Sequence, residues 1–448
     1  MKKRFILAAS IIALAGNAFA GGYLTNTNQS IYFLRNPARD ASIGIDGVYY
    51  NPAGAAFYND GFHIQFNWQN AHQKRDAYAQ YGQLFALNYQ NPPESDFGRT
   101  FTGRVDVPIQ PSLFALYNTG DWSFQFGFGF LGGGGTCEYE HGVGQFEGLV
   151  ASMGMKQFAA LNYPFGGYTL NPTVNGTQYF MGFTLTAARK LSENLSLSLG
   201  VRGMYLTAKY EGSITDSKFK VKGMDMEVPN PNGDYILDCS QKGFGVAPIV
   251  GIDWKAADWV NIAAKFEFKT KIRAESSASN NDAFNALAGS GISPAFTKFL
   301  DGEKEPLDIP ALATFGVQFT PLEKLRLNIG YHHYFDMDTK QWTKDMVGNT
   351  NEILCGVEYD INEMFEVSAG YQKTMPDQTD LNFSDMAFSL ESYCLGFGVG
   401  VRVSPSIKLN AAYFQTFYDD YTKTVPNESV TTYSRTNRVI GLGIDISF

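Results

Sequence analysis

Arg438-Val439-Ile440-Gly441-Leu442-Gly443-Ile444-Asp445-Ile446-Ser447-Phe448 ends the chain, and every even position from Ile440 onward carries a large apolar residue. The odd positions are small or polar, apart from Val439. Because successive side chains of a β-strand point to opposite faces, one face here is apolar and the other is not. The pattern is typical of a membrane strand with lipid on one side and a lumen on the other.

The same alternation recurs along most of the chain, for example from Phe62 to Trp68, from Trp122 to Phe130 and from Leu195 to Val201. Counting these segments gives fourteen, with short turns such as 192–194 at one end and long connections at the other. An even number lets an antiparallel barrel close without an exposed edge. We therefore expect an all-β membrane protein, a fourteen-stranded antiparallel transmembrane β-barrel. A soluble β-sandwich would not readily repeat the alternation so often.

Residues 1–20 have the three parts of a secretory signal peptide. A basic start at Lys2, Lys3 and Arg4 precedes an apolar run, and Ala18-Phe19-Ala20 provides a cleavage site. The apolar run is too short to cross a membrane as a helix. We expect cleavage after Ala20 and a mature chain that begins at Gly21.

Composition excludes some classes of function. The net charge of −9 argues against nucleic acid as a partner. Four cysteines are too few for a disulfide framework, and no CxxC or histidine-rich spacing indicates a metal or cofactor. Cys355 is expected to face lipid and Cys394 the lumen. Cys137 and Cys239 fall in predicted loops and could pair, although free thiols are the favoured state.

Near the mature N-terminus, Arg35-Asn36-Pro37-Ala38-Arg39-Asp40-Ala41 is followed by Gly44-Ile45-Asp46-Gly47 and by Tyr49-Tyr50-Asn51-Pro52-Ala53-Gly54. Asn51-Pro52 predicts a turn, because proline fixes φ and pushes the preceding residue out of the helical region. A surface turn between two strands is the ordinary alternative. This order of motifs resembles the N-terminal segment of the FadL/TodX (OMPP1) family of outer-membrane transport proteins, and the layout of the whole chain agrees.

The resemblance implies an N-terminal hatch, or plug, at about 21–60 inside a barrel of residues 61–448, with Asn51, Pro52, Ala53 and Gly54 as the hatch motif. It implies passive uptake of hydrophobic compounds across the outer membrane of a Gram-negative bacterium, with long-chain fatty acids as the favoured substrate. It also implies lateral exit into the bilayer. The terminal Phe448 resembles the signature that the barrel assembly machinery reads. Partners are then hydrophobic small molecules and outer-membrane lipid, and a monomer is expected.

Two long connections, about 132–176 and 275–308, differ from solvated linkers. Their apolar residues have helical spacing over 146–158 and over 284–300, with a break at Pro294. Each loop either buries a small core of its own or forms an apolar groove that collects a ligand. Exposed apolar patches often mark such binding sites.

Gly132, Gly133, Gly134 and Gly135 follow one another at the outer end of the third predicted strand. Glycine weakens a strand and marks bulges, so this run should break the pairing with a neighbouring strand. In the family, this strand carries an inward kink that opens a lateral gap. A merely flexible connection is the alternative.

Several cations have lumen parity on their predicted strands, and a cation on the lipid face would cost roughly 2–4 kcal/mol at the midplane. They either line a solvated, ion-paired pore or bind a carboxylate head group. The candidates for the head group are Arg202, Lys265, Lys269, Lys271, Arg273 and Arg326. The candidates for contact with the apolar body of a ligand are Phe114, Leu116, Phe180, Met204, Leu206, Leu312 and Phe414.

Catalysis finds little support in the sequence, so we expect no enzyme. His332 and His333 are adjacent on a predicted strand and face opposite sides, and Gly-x-Ser-x-Gly does not occur. Besides fatty acid transport, two alternatives remain open. One is a channel for aromatic hydrocarbons, and the other is a surface binding protein or adhesin that uses the barrel only as an anchor.

Overall fold

In the computed structural model of the protein, residues 25–91, 98–290, 294–425 and 429–448 are described. The predicted leader, residues 1–20, lies outside these ranges. Within them, fourteen antiparallel strands follow the chain order around a closed barrel, as the alternation predicts. The strands are β1 (Gly61–Gln80), β2 (Gly98–Thr119), β3 (Trp122–Tyr139), β4 (Phe165–Lys190), β5 (Leu195–Val221), β6 (Tyr235–Ala257), β7 (Val260–Glu267), β8 (Leu312–Leu322), β9 (Leu325–Tyr334), β10 (Asn351–Asp360), β11 (Phe365–Met375), β12 (Ser392–Ser404), β13 (Ile407–Tyr418) and β14 (Ser429–Ser447).

Closure is made by β14 and β1, which pair without a bulge from His63 opposite Ser447 to Gln80 opposite Val430. Four short strands extend the sheet at the long-loop end: Glu227–Pro229, Arg273–Ala278, Lys304–Pro306 and Tyr421–Val425. Outward apolar side chains form a belt around the barrel; Phe124, Leu199 and Leu442 are each at least half exposed. Such a belt is what a bilayer requires of a barrel surface.

The helices in the described ranges are not part of the barrel wall, and most of them are short. They are α1 (Ile31–Arg35), α2 (Gly47–Tyr50), α3 (Gln83–Ala86), α4 (Gly144–Ala160) and α5 (Asp282–Gly289), with 3₁₀ turns at Gly54–Phe57, Pro294–Phe299, Asp336–Asp338 and Asp380–Asn382. No helix in the described ranges has the length and apolar character needed to cross a membrane.

The predicted loops 132–176 and 275–308 are partly wrong in their bounds. Strand β3 continues to Tyr139 and β4 begins at Phe165, so the connection between them is shorter than expected. The expected helix at 146–158 is present as α4, and that at 284–300 is divided into α5 and the 3₁₀ turn Pro294–Phe299. The sequence alternation continues past the apolar belt because the strands themselves project beyond it.

Deleting Phe448 should lower the amount of folded barrel. Its N–H donates to the Phe62 carbonyl at 2.9 Å, and the two rings lie 6.0 Å apart. The last residue therefore completes the pairing that closes the barrel. Heat-modifiable mobility on a gel measures the folded fraction, with Phe448→Tyr as the control. Normal folded yield from the truncated chain would contradict this role.

Candidate functional site

The N-terminal segment, here residues 25–60, lies against inward-facing side chains of strands on several sides of the barrel. Helix α1 begins after Ser30, whose hydroxyl accepts the Tyr32 N–H at 3.0 Å. Its residues Ile31, Phe33 and Leu34 are fully buried. Strand β1 then begins at Gly61. The segment thus occupies the interior that an N-terminal hatch would fill.

Glycines of the wall make room for this segment. A Cβ on Gly356 would clash with the Asn36 side chain, and a Cβ on Gly396 would clash with the Leu34 carbonyl oxygen. Further inward glycines meet the segment in the same way, among them Gly316, Gly330, Gly370, Gly398, Gly441 and Gly443. Strands β8 to β12 and β14 therefore carry a matched surface for the segment, which the sequence analysis did not identify.

Two arginines fasten the segment to that wall. Arg35 pairs with Glu366 and donates to Ser368 at 2.8 Å, while Arg39 bridges Asp46 at 2.8 Å and Glu358 at 2.6 Å. Both guanidinium groups are almost fully buried. Breaking a buried ion pair on one side is strongly destabilising, so these contacts hold the segment firmly.

The Asn51-Pro52 turn is held on the opposite side, by β3, β5, β6 and β7. Asn51 donates to Asp253 at 2.5 Å, and the Asp253 carboxylate also accepts from Asn261 at 2.9 Å. Gln125 donates to the Pro52 carbonyl at 2.7 Å and Ser196 to the Ala53 carbonyl at 2.5 Å. Within the turn, the Gly54 N–H donates to the Asn51 side chain at 3.0 Å. The motif lies inside the barrel, so the alternative of a surface turn is wrong.

The ladder between β2 and β3 is interrupted. Pairing runs from Thr119 opposite Trp122 to Leu113 opposite Phe128, and resumes only at Val105 opposite Cys137. The run Gly132–Gly135 lies in the unpaired part of β3 and keeps its partner β4 through two bulges. Gly133 has φ of +70°, which a side chain would disfavour. The pairing of β3 with β2 is thus broken at the glycine run, as predicted from the sequence.

The sequence carries a second signal at the same place, which the alternation and the glycine run do not reveal. Strand β2 carries Pro108 and Pro111 within the unpaired stretch, and proline has no N–H to donate to a ladder. Register also gives the height of the interruption: Pro111 lies opposite Trp68 of β1, and Trp68 lies opposite the exposed Leu442. The interruption therefore begins within the apolar belt.

The first residues of the N-terminal segment cover the interruption from inside. The Asn26 N–H donates to the Leu131 carbonyl at 2.7 Å, and the Gln29 amide donates to the Phe130 carbonyl at 2.7 Å. Ser112 of β2 donates to the Gln29 carbonyl. A small cavity lies beside them, bounded by Phe114, Leu131, Tyr49 and their neighbours. Gln29 and Leu131 border this cavity as well as the interrupted part of the ladder.

A second and larger cavity lies at the long-loop end. Its walls come from α4 (Phe146 and Leu149), from α5 (Phe284 and Leu287) and from the turn Pro294–Phe299. The two predicted loops therefore pack against each other and leave an apolar space between them. Its apolar lining is that of a site for a hydrophobic ligand.

The cations predicted to bind a head group either pair with carboxylates of the protein or are exposed. Arg202 and Lys265 both pair with Glu267, and Arg326 pairs with Glu358, Asp360 and Glu366. Lys269 donates to the Asp338 carbonyl and lies 3.9 Å from Asp308. The alternative that these cations line an ion-paired pore therefore describes most of them better than a head-group site does.

The lumen parity expected for Lys271 and Arg273, which would place them in the lumen or just above it, is wrong. Both are exposed, whereas Thr270 and Ile272 are buried. Strand β7 ends at Glu267 and the next short strand begins at Arg273, so the chain changes parity between them. A shift of one residue moves every following side chain to the other face.

The seven apolar candidates all face inward and are at most 2% exposed: Phe114, Leu116, Phe180, Met204, Leu206, Leu312 and Phe414. Part of this set packs on the N-terminal segment; the rings of Phe414 and Phe33 lie 6.0 Å apart. Phe114 borders the cavity beside the interruption. All four cysteines are free thiols, and Cys137 and Cys239 are buried without a disulfide.

Asp385 links the loop between β11 and β12 to helix α4. Its carboxylate accepts the Gln145 N–H at 3.1 Å and the Tyr433 hydroxyl at 3.4 Å. Val143, which precedes the helix, offers no side-chain acceptor, so Asp385 supplies the cap. Burial raises the pKa of Asp385 to about 6, against the lowering effects of the Gln145 hydrogen bond and the Lys423 charge.

Lowering the pH should therefore stabilise this contact. Asp385 binds its proton more tightly when it is buried against α4 than when this contact is broken and the carboxyl has its ordinary pKa. The free energy needed to break the contact therefore rises as pH falls through about 6, and it levels off near pH 4. The increase in this free energy is at most about 3 kcal/mol. Hydrogen exchange of the α4 amides, corrected for intrinsic rates, measures it. Asp385→Asn should remove this pH dependence, and an unchanged dependence in the variant would contradict the assignment.

Comparison with known proteins agrees with this geometry. No protein-family model and no curated protein matches the sequence. A Pseudomonas aeruginosa FadL homologue superposes with a TM-score of 0.67 at 15% identity, over 96% of this chain and 100% of that one. The Pseudomonas putida toluene transporter TodX gives 0.59 at 13% identity, over 94% and 99%. The CymD monoaromatic hydrocarbon channel gives 0.52 at 10% identity, over 92% and 97%. The chain therefore has the fold of the FadL and TodX transport proteins.

Proposed function

We propose that the protein carries hydrophobic compounds across the outer membrane, with long-chain fatty acids as the expected substrate. The observation that supports this most directly is the pairing of an apolar cavity at the long-loop end with an interruption of the wall at belt height. In this proposal the long loops are extracellular, the short turns are periplasmic and the N-terminal segment is the hatch.

The route follows from the free energy of the ligand. Moving each CH₂ group from an apolar pocket into water costs about 0.8 kcal/mol, so a long alkyl chain avoids a water-filled pore. A hydrophobic ligand captured between α4 and α5 does better by passing into the bilayer through the β2–β3 interruption. The hatch closes the straight path to the periplasm, and residues 26–29 form the inner gate of the lateral path.

Native mass spectrometry of the detergent-purified protein tests this proposal. Co-purifying fatty acids would support transport of that class. Bound aromatic hydrocarbons would instead favour the alternative of an aromatic hydrocarbon channel. The similarity to the TodX and CymD structures is the reason to test that class. A protein that binds neither class, and whose deletion leaves uptake of both unchanged, would leave the barrel as an anchor for a surface binding protein.

A further inference from the structure

Three exposed cations lie on the outside of the wall where the apolar belt ends on the long-loop side: Lys242, Lys271 and Arg273. On β6, Lys242 is the next outward position beyond Phe244, which is 61% exposed within the belt. The short strand Arg273–Ala278 pairs with β6 through Glu275 opposite Lys242. Two residues back along that strand, Arg273 therefore lies level with Phe244. At this border a cation costs far less than at the midplane, because its side chain reaches the level of the lipid headgroups.

These three cations pair with no carboxylate in the part of the chain that the structure describes. Other outward cations nearby do, since Lys209 pairs with Glu211, and Lys304 pairs with Glu275 at 3.0 Å. Asp238, four residues farther along β6, accepts a serine hydroxyl at 3.2 Å. The outward acids of these strands thus have other partners, and three positive charges are left for an anion from outside the chain.

The wall beside the cations suits acyl chains. Phe244, Val246 and Phe268 face outward and are between 46% and 61% exposed. A lipid whose chains lie on these side chains brings its headgroup to the cations. Arginine binds phosphate through two parallel hydrogen bonds, and lysine binds it as a point charge. Adjacent strands are about 4.8 Å apart, so the cations reach more than one group of the same headgroup.

We propose that Lys242, Lys271 and Arg273 bind a membrane lipid that carries more than one phosphate group. One phosphodiester has a single negative charge and would leave most of the positive charge uncompensated, whereas a bisphosphorylated glycolipid matches it. The site faces the bilayer and not the lumen, so it is separate from the proposed transport route. It uses only the proposed placement of the long loops outside the cell, which puts the lipid in the outer leaflet.

The test is native mass spectrometry of the purified full-length protein in a neutral detergent, titrated with bisphosphorylated lipid A, monophosphorylated lipid A and phosphatidylglycerol. The protein should bind the bisphosphorylated lipid at least about 10-fold more tightly than the other two. Lys242→Gln with Arg273→Gln should weaken that binding by roughly 10-fold to 100-fold, as expected for lost charge-assisted hydrogen bonds. Lys242→Gln with Arg273→Lys should recover part of the affinity. The control, Lys190→Gln with Lys324→Gln, removes the same charge at the short-turn end and should bind normally.

Heat-modifiable mobility first confirms that each variant is folded, which is expected because the altered side chains are exposed. Equal affinity for the three lipids, or an equal loss in the control, would overturn the proposal. Competition by inorganic phosphate at the concentration of the lipid would also overturn it, in favour of a site for small anions. None of these results touches the proposed transport, because binding of fatty acids is measured separately on the same variants and should stay unchanged.

Discussion

Replacing Gly132, Gly133 and Gly134 with valine is expected to reduce uptake of a labelled fatty acid to the level of cells that lack the protein. Binding of the fatty acid to purified protein should persist, because the cavity at the long-loop end is built by other elements. The substitution therefore separates capture of the ligand from its release into the membrane.

The physical reason is the backbone of β3. Gly133 and Gly134 have φ of +70° and +143°, which β-branched residues avoid. A Cβ on Gly133 would also clash with the Gln178 carbonyl oxygen, which is backbone and cannot move aside freely. Valine favours a regular extended strand instead, and a regular β3 would lie closer to β2 and close the proposed lateral exit.

The control is Gly120→Val. Gly120 also has positive φ, +58°, but it lies in a short turn where an added Cβ would have no other heavy atom within 4 Å. It therefore carries a similar backbone cost without changing the wall between β2 and β3. Both variants are first compared for heat-modifiable mobility, so that only folded protein is assayed. Unchanged uptake in folded triple-valine protein would show that the lateral route is wrong.

The sequence was sufficient for the barrel because the alternation of side chains is local. The last strand shows its two faces within eleven residues, and the same rule applies to β3 and β5. The rule fails where the chain breaks its register: the interval from Phe268 to Ile272 reverses parity, and two predicted lumen cations therefore face outward. A local pattern cannot report such a shift unless the end of the strand is known.

The candidate site depends on contacts between distant segments, and these are harder to predict. Gly356 and Gly396 look like ordinary strand glycines in the sequence, yet they face Asn36 and Leu34 more than 300 residues away. The carboxylates that neutralise Arg202 and Arg326 come from other strands as well. Pro108 and Pro111 are the exception, because two prolines within a strand already indicate a broken ladder.

The second large effect concerns the N-terminal segment, the proposed hatch. Replacing Asn51 and Pro52 together with alanine should make the protein leak small polar solutes, measured as conductance in planar bilayers or as swelling of liposomes. Asn51 donates to Asp253 and also organises its own turn through the Gly54 N–H. Its loss leaves a buried carboxylate with one donor fewer, which costs about 1–3 kcal/mol or more for a charged group.

The leak should be partial, because the segment keeps its other anchor. Arg35 and Arg39 hold α1 and the following residues to the wall from β10 to β13, far from the Asn51-Pro52 turn. Only the side that faces β3, β5, β6 and β7 is freed by the double alanine variant. Asn194→Ala, in an exposed short turn, is the control and should stay tight. A double variant that folds and conducts no more than the control would show that the turn does not seal the lumen. The arginine anchor would then carry that role, and Arg39→Met should conduct where the alanine variant does not.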